Sequence, residues 1–430
     1  MRSRHHEQPY LATLFSVNAE IIAVGSEMLT PYRQDTNSLF LTKQLNDLGV
    51  EVVFKGVVGD HRERLVECIR QALSRAEILI CTGGLGPTVD DLTRECVAEA
   101  LGLDLRADPD ILAALYARFA TRRIQMSPNN ARQADIIEGA EALRNPRGTA
   151  PGQFMTAQYD GERKIVILLP GPPWELEPLF QTECIPRLKA LLPPRFIAVR
   201  ELKLAMVPES QADLRAAPIY KRYTEVQTTI LAGFGEVQLH LRTEADTEEE
   251  AQARVDRLAS ELEDEFEESV FSTAGESLEK IVGYYLQMRD ATISVAESCT
   301  GGYLAQRITS ISGSSRYFVG GAVVYSNDLK SQFCNVPPLL IAEHGAVSKQ
   351  VATAMAEGIR KRCRSTLGVG ITGVAGPTGG TDEKPVGLVY IALADNLKTE
   401  VSERRFPGDR ERIRHWATQQ ALDMIRRRLI

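Results

Sequence analysis

Short apolar runs alternate with amphipathic, charged segments along most of the chain. In the first half, runs typical of buried strands cover residues 20–24, 50–58, 77–81 and 164–169. Segments with helical periodicity, residues 36–48 and 62–74, separate the first three runs. This alternation predicts a parallel sheet with helices on both faces, in which ligands bind beyond the carboxyl ends of the strands.

The pattern changes around residue 191. Strand-like runs at 196–207, 226–231 and 236–241, a short helix after Pro208 and an acidic helix at 248–265 predict a small α+β module. The tripeptide Gly233-Phe234-Gly235 between two of these runs predicts a hairpin turn.

From Ser277 onward the alternation of strands and helices returns. Strand-like runs at 291–295, 321–325, 367–371 and 387–394 are separated by loops rich in Gly, Ser and Thr, which predicts one polar pocket built from several strand ends. The predicted fold class is therefore α/β, with two α/β domains joined by the α+β module. The predicted boundaries are a flexible tail at 1–18, the first domain at 19–190, the module at 191–273 and the last domain at 274–430.

Composition and charge narrow the functional class. The chain of 430 residues is 43% hydrophobic and 25% charged, as expected of a soluble globular protein. A formal charge of −7 argues against general binding to nucleic acids or anionic membranes. Seven scattered cysteines without a C-x-x-C pair are typical of a reducing cytoplasm, and six dispersed histidines form no zinc motif. No apolar run is long enough to span a bilayer, so we expect a cytoplasmic protein.

A glycine-rich loop, residues 82–88, follows the third predicted strand. Successive glycines after a strand offer backbone N–H groups to phosphate oxygens, and Asp90 and Asp91 follow where the next helix should begin. Paired carboxylates beside a phosphate site are natural ligands for a hard divalent cation such as Mg²⁺. The alternative interpretation is an aspartate that caps the helix, preceded by an ordinary turn.

A second loop, AESCTGG at residues 296–302, follows the strand-like run 291–295. The next residues have helical composition, so Ser298 is expected at a helix start. Backbone N–H groups and the helix dipole there suit a phosphate, a carboxylate or a developing oxyanion. Gly301 and Gly302 would let a ligand approach the backbone closely. A purely structural N-cap serine followed by glycines is the alternative.

A serine nucleophile needs a general base, and no histidine here has the context of a motif. His344 and His415 are better interpreted as capping or packing residues. A lysine held neutral by burial can serve as the base instead. Lys330, which follows a strand end and a polar loop, is the first candidate, and Lys384 is the second; a surface position is the alternative for each.

Taken together, the two halves resemble the competence/damage-inducible CinA family. The motifs AESCTGG (296–302), YSNDLK (325–330), HGAVS (344–348), TGVAGPTGG (372–380), EKPVG (383–387) and FPGDR (406–410) resemble its nicotinamide mononucleotide amidohydrolase domain. The segments GSE (25–27), DTN (35–37), VGD (58–60) and TGGLGPTVDD (82–91) resemble its N-terminal domain, which has the molybdopterin-binding fold. The resemblance covers nearly everything after residue 18, in the family's order.

This resemblance implies a bifunctional hydrolase of pyridine-nucleotide salvage. The last domain would be an amidohydrolase that converts nicotinamide mononucleotide to nicotinate mononucleotide and ammonia without a cofactor. It would use Ser298 as the acylated nucleophile, Lys330 as its base and Arg414 as a polar group of the same site. The implied substrate-binding residues are Thr300, Gly301, Gly302, Tyr325, Asn327, Thr372, Gly373 and Gly376.

For the first domain the resemblance implies a metal-dependent ADP-ribose pyrophosphatase. Its implied phosphate-binding residues are Thr82, Gly83, Gly84, Gly86 and Thr88, and Asp90 and Asp91 would bind a divalent ion such as Mg²⁺ or Co²⁺. Residues 29–34 depart from the apolar, glycine-containing loop of many relatives, which bears on nucleotide preference.

The expected partners are small nucleotides, with no membrane or nucleic acid, and the expected assembly is a homo-oligomer, most simply a dimer. Two other functional classes stay open at this point. One is a molybdopterin-binding protein, since fold does not fix function. The other is a non-catalytic regulatory protein related to competence.

Overall fold

The computed structural model describes residues 17–121, 123, 125–193 and 195–430, so most of the predicted tail lies outside the described residues. The chain divides into two compact units. The first comprises the described residues up to Ile197 together with Glu244–Ala251, and the second comprises Ala198–Thr243 and Gln252–Ile430. Most of the segment predicted as a separate α+β module therefore belongs to the second unit.

The strands of the first unit form a six-stranded sheet and a small two-stranded one. They are β1 (Val17–Val24), β2 (Val50–Val58), β3 (Ile78–Thr82), β4 (Leu105–Ala107), β5 (Asp135–Ile137), β6 (Glu141–Leu143), β7 (Gly152–Tyr159) and β8 (Glu162–Leu169). The large sheet has the order β2-β1-β3-β8-β7-β6, and β4 pairs with β5. Its first four strands are parallel, as predicted, whereas β7 and β6 extend it in antiparallel pairing.

Helices cover both faces of this sheet. They are α1 (Thr36–Asn46), α2 (Arg62–Arg75), α3 (Thr93–Leu101), α4 (Pro109–Thr121), α5 (Pro173–Leu179) and α6 (Ile185–Leu191), the last two joined by a π-helical segment, Phe180–Cys184. Because side chains alternate along a strand, Ile22 packs into the core under α2 and α3, whereas Ile21 packs into the core under α1 and α5. With both faces covered, the carboxyl ends of the parallel strands are left for a polar site.

The middle of the chain forms a four-stranded sheet with two helices. Its elements are β9 (Phe196–Ala205), α7 (Glu209–Tyr220), β10 (Gln227–Gly233), β11 (Glu236–Ala245), α8 (Glu248–Phe266) and β12 (Val270–Ser272), and the strand order is β10-β11-β9-β12. Strands β10 and β11, and β9 and β12, pair in antiparallel fashion. Gly233 pairs with Glu236, so the predicted hairpin turn is confirmed.

The rest of the second unit is built on a five-stranded sheet, β14-β13-β15-β16-β17. Its elements are α9 (Leu278–Met288), β13 (Ile293–Glu297), α10 (Tyr303–Thr309), β14 (Phe318–Val323), α11 (Asn327–Cys334), α12 (Pro338–His344), α13 (Lys349–Cys363), β15 (Leu367–Gly373), β16 (Leu388–Ala394), β17 (Thr399–Arg405) and α14 (Arg410–Leu429). Strands β13, β14 and β15 are parallel, and β16 and β17 are antiparallel. The predicted α/β class is confirmed.

Some details of this part differ from the sequence-based expectation. Residues 327–329, expected in the polar loop before Lys330, form the first turn of α11 together with Lys330, because the Ser326 hydroxyl accepts a hydrogen bond from the Leu329 N–H (3.2 Å) and caps the helix. Strand β17 was not predicted, because its charged sequence lacks an apolar run. Among the helices of the described residues, none has both the length and the apolar character that crossing a membrane requires.

Candidate functional site

The glycine-rich loop after β3 holds three successive carbonyl groups on the side of α3. The pairs are Gly83 O with the Thr93 hydroxyl (2.7 Å), Gly84 O with the Thr93 N–H (3.2 Å) and Leu85 O with Arg94 Nη1 (2.7 Å). A trans peptide unit points its N–H opposite to its C=O, so the N–H groups of residues 84–86 point away from α3. They have no acceptor within the described part of the chain. Three such N–H groups in a row form a nest for an anion.

The loop conformation depends on glycine at positions 83 and 84. Both residues have positive φ, +89° and +63°, and a Cβ on Gly83 would lie 2.3 Å from the Val24 carbonyl oxygen. Buried Arg94 also donates to Gly86 O (3.1 Å), which fixes the loop from its inner side. The N–H of Gly83, which the sequence placed among the phosphate-binding groups, donates to Leu169 O (2.9 Å) and is not free.

Asp91 shapes the end of this loop. Its Oδ2 accepts hydrogen bonds from the Thr88 N–H (2.8 Å) and from the Thr88 hydroxyl. Thr88 is therefore bonded to a carboxylate rather than open to a phosphate. The N-cap of α3 is Leu92, without a side-chain cap, so neither Asp90 nor Asp91 is the capping aspartate of the alternative interpretation.

The loops after β1, β3 and β8 line a cavity of about 490 Å³ in the first unit. Thr82, the glycine loop, Asp90 and Asp91 contribute to its wall. Other lining residues with chemistry to offer are Glu27, Arg33, Asn37, Asp60, Gln133, Trp174 and Glu175.

Several carboxylates line this cavity. Within the described residues, no group of three or more His, Cys, Asp or Glu side chains is arranged to hold a metal ion. A divalent cation would fit there if a bound phosphate completed the oxygen ligands offered by Asp90 and Asp91. Such a shared site is typical of Mg²⁺, which takes one or two carboxylates together with substrate phosphates.

In the second unit, the turn that carries Ser298 lies where three parallel strands end. The Ser298 N–H donates to Ile371 O of β15 (2.9 Å), and the Val324 N–H, just beyond β14, donates to Glu297 O (2.8 Å). Ser298 is only 9% exposed, and its hydroxyl has no hydrogen-bond partner among the described residues. The serine hydroxyl is therefore available for chemistry.

The prediction that Ser298 sits at a helix start is wrong. Helix α10 begins at Tyr303, with Gly302 as its N-cap. The N–H groups of Leu304 (3.0 Å) and Ala305 (2.8 Å) in its first turn donate to the buried carboxylate of Glu297. The expected anion site at the helix start is thus filled by the protein's own carboxylate.

Other backbone groups of the turn remain free. The Gly301 N–H donates to Ser298 O (3.1 Å), whereas the N–H groups of Thr300 and Gly302 have no acceptor in the part of the chain that the structure describes. The Thr300 side chain is fully buried and its hydroxyl has no partner in the structure. The N–H groups of Thr300 and Gly302 are therefore free to donate to an oxyanion.

Lys330 is buried in the first turn of α11. Its Nζ donates to Val324 O (3.0 Å) and Tyr325 O (3.1 Å), two carbonyl groups that follow β14 directly. Burial lowers the pKa of Lys330 from its ordinary value, because the charged form is poorly solvated. A neutral amine has two N–H bonds and one lone pair. With both N–H bonds directed at carbonyl groups, the lone pair is what remains to accept a proton.

The second candidate base, Lys384, has a different environment. Its Nζ donates to the carbonyl oxygen of His344 (2.7 Å) and ties the 372–386 loop to the end of α12. His415 bonds through Nδ1 to the Tyr303 hydroxyl (3.0 Å), in keeping with a packing role.

Two arginines one turn apart on α14 brace the serine turn and the neighbouring loops. Arg414 donates to Thr300 O through Nε (3.1 Å) and Nη2 (2.7 Å). Arg410 donates to Gly376 O (3.0 Å) and to the Tyr325 hydroxyl (3.2 Å). Sequence reasoning did not single out Arg410 or Glu297, although both lie inside motifs that it quoted.

The remaining predicted substrate-binding residues differ in how closely they are tied to this site. Thr372 and Gly373 end β15, and the Thr372 hydroxyl donates to Ala346 O (2.8 Å). Asn327 is the exposed first residue of α11, and its side chain bonds to no other described residue.

Cys299, next to the serine, is an unsuitable nucleophile. It is 6% exposed, and burial raises the pKa of its thiol to about 12. The thiolate is therefore scarce at neutral pH.

Comparison with known proteins finds two matching regions, one around each of the two loops described above. Residues 20–190 match the family model described as "Probable molybdopterin binding domain", and residues 275–429 match the "CinA C-terminal domain". A CinA-like protein from Koribacter versatilis is 62% identical over 412 residues, which cover 96% of this chain and 100% of that protein. A CinA-like protein from Solibacter usitatus is 48% identical over 413 residues, covering 96% and 98%.

A solved structure, the competence/damage inducible protein CihA from Agrobacterium tumefaciens, is 38% identical to the part it matches. The match covers 34% of this chain and 90% of that one, with a TM-score of 0.34. On the strength of the full-length relatives and the two family models, the chain belongs to the CinA family.

Proposed function

We propose that this protein is a bifunctional hydrolase of pyridine-nucleotide salvage, and that its second unit deamidates nicotinamide mononucleotide to nicotinate mononucleotide and ammonia. The observation that carries the proposal is the buried Lys330, held by two carbonyl groups at the same strand ends as an unbonded serine hydroxyl. Burying a lysine costs desolvation free energy, so a buried lysine at a strand-end site is more typical of a general base than of packing.

In the proposed reaction, neutral Lys330 takes the proton of the Ser298 hydroxyl as the serine oxygen attacks the carboxamide carbon. The tetrahedral oxyanion accepts hydrogen bonds from the N–H groups of Thr300 and Gly302. Protonated Lys330 then gives its proton to the amide nitrogen, which leaves as ammonia. A water molecule, deprotonated by Lys330, then attacks the acyl-serine. Lys330 returns this proton to the serine oxygen as the bond to the acyl carbon breaks, which releases the acid and restores the free enzyme.

Positive charge near this site suits a nucleotide substrate. Arg410 and Arg414 stand on the first turns of α14, beside Tyr325 and the serine turn. Both guanidinium groups are bonded to protein oxygens, so their proposed role is to position the loops and to supply a favourable field for a phosphate. Neither arginine is proposed to transfer a proton.

For the first unit, we propose hydrolysis of the pyrophosphate bond of ADP-ribose. The N–H groups of residues 84–86 would bind phosphate oxygens, and Asp90 and Asp91 would share a divalent cation with them. When bound, such a cation neutralises charge that develops on the pyrophosphate. The geometry that supports this proposal is the outward-facing N–H nest in a cavity lined by carboxylates.

The test is a pair of assays on the full-length protein. Ammonia release from nicotinamide mononucleotide and hydrolysis of ADP-ribose with Mg²⁺ are measured side by side. We expect both activities. A folded protein that releases no ammonia would overturn the proposal for the second unit, and binding of a molybdopterin without cleavage of ADP-ribose would replace the proposal for the first.

A further inference from the structure

A large aromatic side chain on the wall of the cavity in the first unit is exposed to solvent. Trp174 lines the cavity and is 63% exposed. Tryptophan is highly buried on average, and the exposed ring of Trp174 lies where a ligand in the cavity would cover it. Trp174 has no role in the proposed hydrolysis of ADP-ribose as described above.

The backbone around Trp174 is fixed before any ligand arrives. Pro172 is the N-cap of α5 and Pro173 its first residue, which restricts the φ angles that lead into the tryptophan. The Trp174 carbonyl oxygen accepts a hydrogen bond from Arg147 Nη1 (3.1 Å). The side chain of the next residue, Glu175, accepts one from Asn145 (2.8 Å). The indole is therefore carried by a preorganised segment.

This segment runs beside the phosphate nest. Strands β3 and β8 pair in parallel up to Thr82 and Leu169, so their following loops emerge together. A Cβ on Gly171 would lie 3.4 Å from the Cα of Gly83. Trp174 follows three residues later, which limits the separation of its Cα from that of Gly171 to about 11 Å.

We infer that Trp174 is the platform on which the base of the nucleotide stacks while its diphosphate binds the N–H groups of residues 84–86. The inference rests on the proposed function of the first unit and adds the residue that recognises the base. Stacking needs only a flat π-face, so Trp174 favours ligands that carry a nucleobase over the same diphosphate without one. The gain corresponds to roughly 5- to 150-fold in Kd.

The chain offers a direct optical test because it contains two tryptophans. The other, Trp416, stacks on Phe406 in the second unit. In a Trp416→Phe variant the fluorescence reports on Trp174 alone. The probes, each with Mg²⁺, are α,β-methylene-ADP, whose diphosphate cannot be cleaved, and methylenediphosphonate, which lacks the nucleoside. We expect the nucleotide to quench the fluorescence and the diphosphonate to leave it nearly unchanged.

Calorimetry then measures the affinity of the same two ligands for single variants of the full chain. Trp174→Leu should weaken α,β-methylene-ADP by roughly 5- to 150-fold and leave methylenediphosphonate unchanged, and Trp174→Phe should restore part of the loss. Tyr116→Leu is the matched control, because Tyr116 is an exposed aromatic residue of the same unit that does not line the cavity.

The outcomes separate the inference from the function on which it rests. Equal affinity of wild type and Trp174→Leu for α,β-methylene-ADP, without quenching, would overturn the stacking role and leave the diphosphate site intact. Failure of both ligands to bind the folded wild type would overturn the diphosphate site and the inference together.

Discussion

The two glycine-rich loops have similar sequences and similar positions after parallel strands, yet their backbone N–H groups are used differently. After β3, two side chains and one backbone N–H of α3 hold the loop carbonyl groups, and the N–H groups of residues 84–86 stay free. After β13, Glu297 accepts hydrogen bonds from the N–H groups of Leu304 and Ala305 at the start of α10. The first loop leaves backbone N–H groups free for the proposed phosphate, and the second is a turn that presents a hydroxyl group.

The two loops differ in which of their backbone groups, the carbonyl or the N–H groups, are bound by neighbouring residues. A donor behind the loop, such as Arg94, turns carbonyl groups inward and N–H groups outward. A carboxylate beside the helix start, such as Glu297, accepts hydrogen bonds from the first N–H groups of the helix. The groups without a partner are then those of the preceding turn. In these two loops, glycine content alone therefore does not decide whether the N–H groups stay free, and the buried residue next to the loop decides it.

The largest expected effect concerns the pair at the second loop. Ser298→Ala and Lys330→Met should each lower ammonia release from nicotinamide mononucleotide by at least about 10³-fold, because nucleophile and base act as one unit. For the same reason the double variant should be little worse than either single one. Steady-state ammonia release by the full chain measures this.

A matched control makes the result specific. Lys384→Met removes another half-buried lysine whose Nζ also bonds a carbonyl oxygen, and it should keep turnover within a few-fold of wild type. Near-normal turnover in folded Ser298→Ala would exclude the acyl-enzyme and indicate direct attack by water.

The next effect concerns the first loop. A chelator should abolish hydrolysis of ADP-ribose and leave ammonia release unchanged, because the two sites lie in different units. Asp91→Asn should lower hydrolysis of ADP-ribose by about 10- to 100-fold, since it weakens a cation ligand and the bond to Thr88. Equal loss of both activities on chelation would show that the two reactions share a metal.

The sequence predicts the elements well where apolar runs and helical periodicity are long. Strand β2 has the predicted limits, and α1 and α8 end within two residues of the predicted ends. The errors fall where one polar side chain decides local structure. Ser326 converts an expected loop into the first turn of α11, and Glu297 displaces the helix start away from Ser298. Such side-chain bonds leave no periodic signal.

The site itself is only partly visible in the sequence. The candidate groups Ser298, Lys330 and the glycine-rich loop follow from motifs. The direction of the N–H groups at residues 84–86, and the link from Arg410 to Tyr325 and Gly376, depend on contacts between distant parts of the chain. No local pattern encodes those contacts.

The smallest expected effect is on pH dependence. Burial lowers the pKa of Lys330 below 10.5, and its neutral form is the proposed base. Ammonia release should therefore increase as pH rises through the lowered pKa and reach a plateau above it. Rates of ammonia release measured between about pH 6 and pH 10 test whether the rate increases with pH. A rate that falls over the same range would contradict a neutral-lysine base.

The same shift predicts a change in stability. Between the folded-state pKa of Lys330 and the unfolded value, the unfolded chain binds more protons, so rising pH stabilises the folded wild type. The free energy of unfolding of wild type, relative to Lys330→Met, should thus increase towards pH 10.5, by at most about 1.4 kcal/mol per pH unit. Below both pKa values the difference should be flat. Urea unfolding of the two proteins at several pH values measures this, and a difference that decreases with pH would mean that the folded protein stabilises the charged lysine.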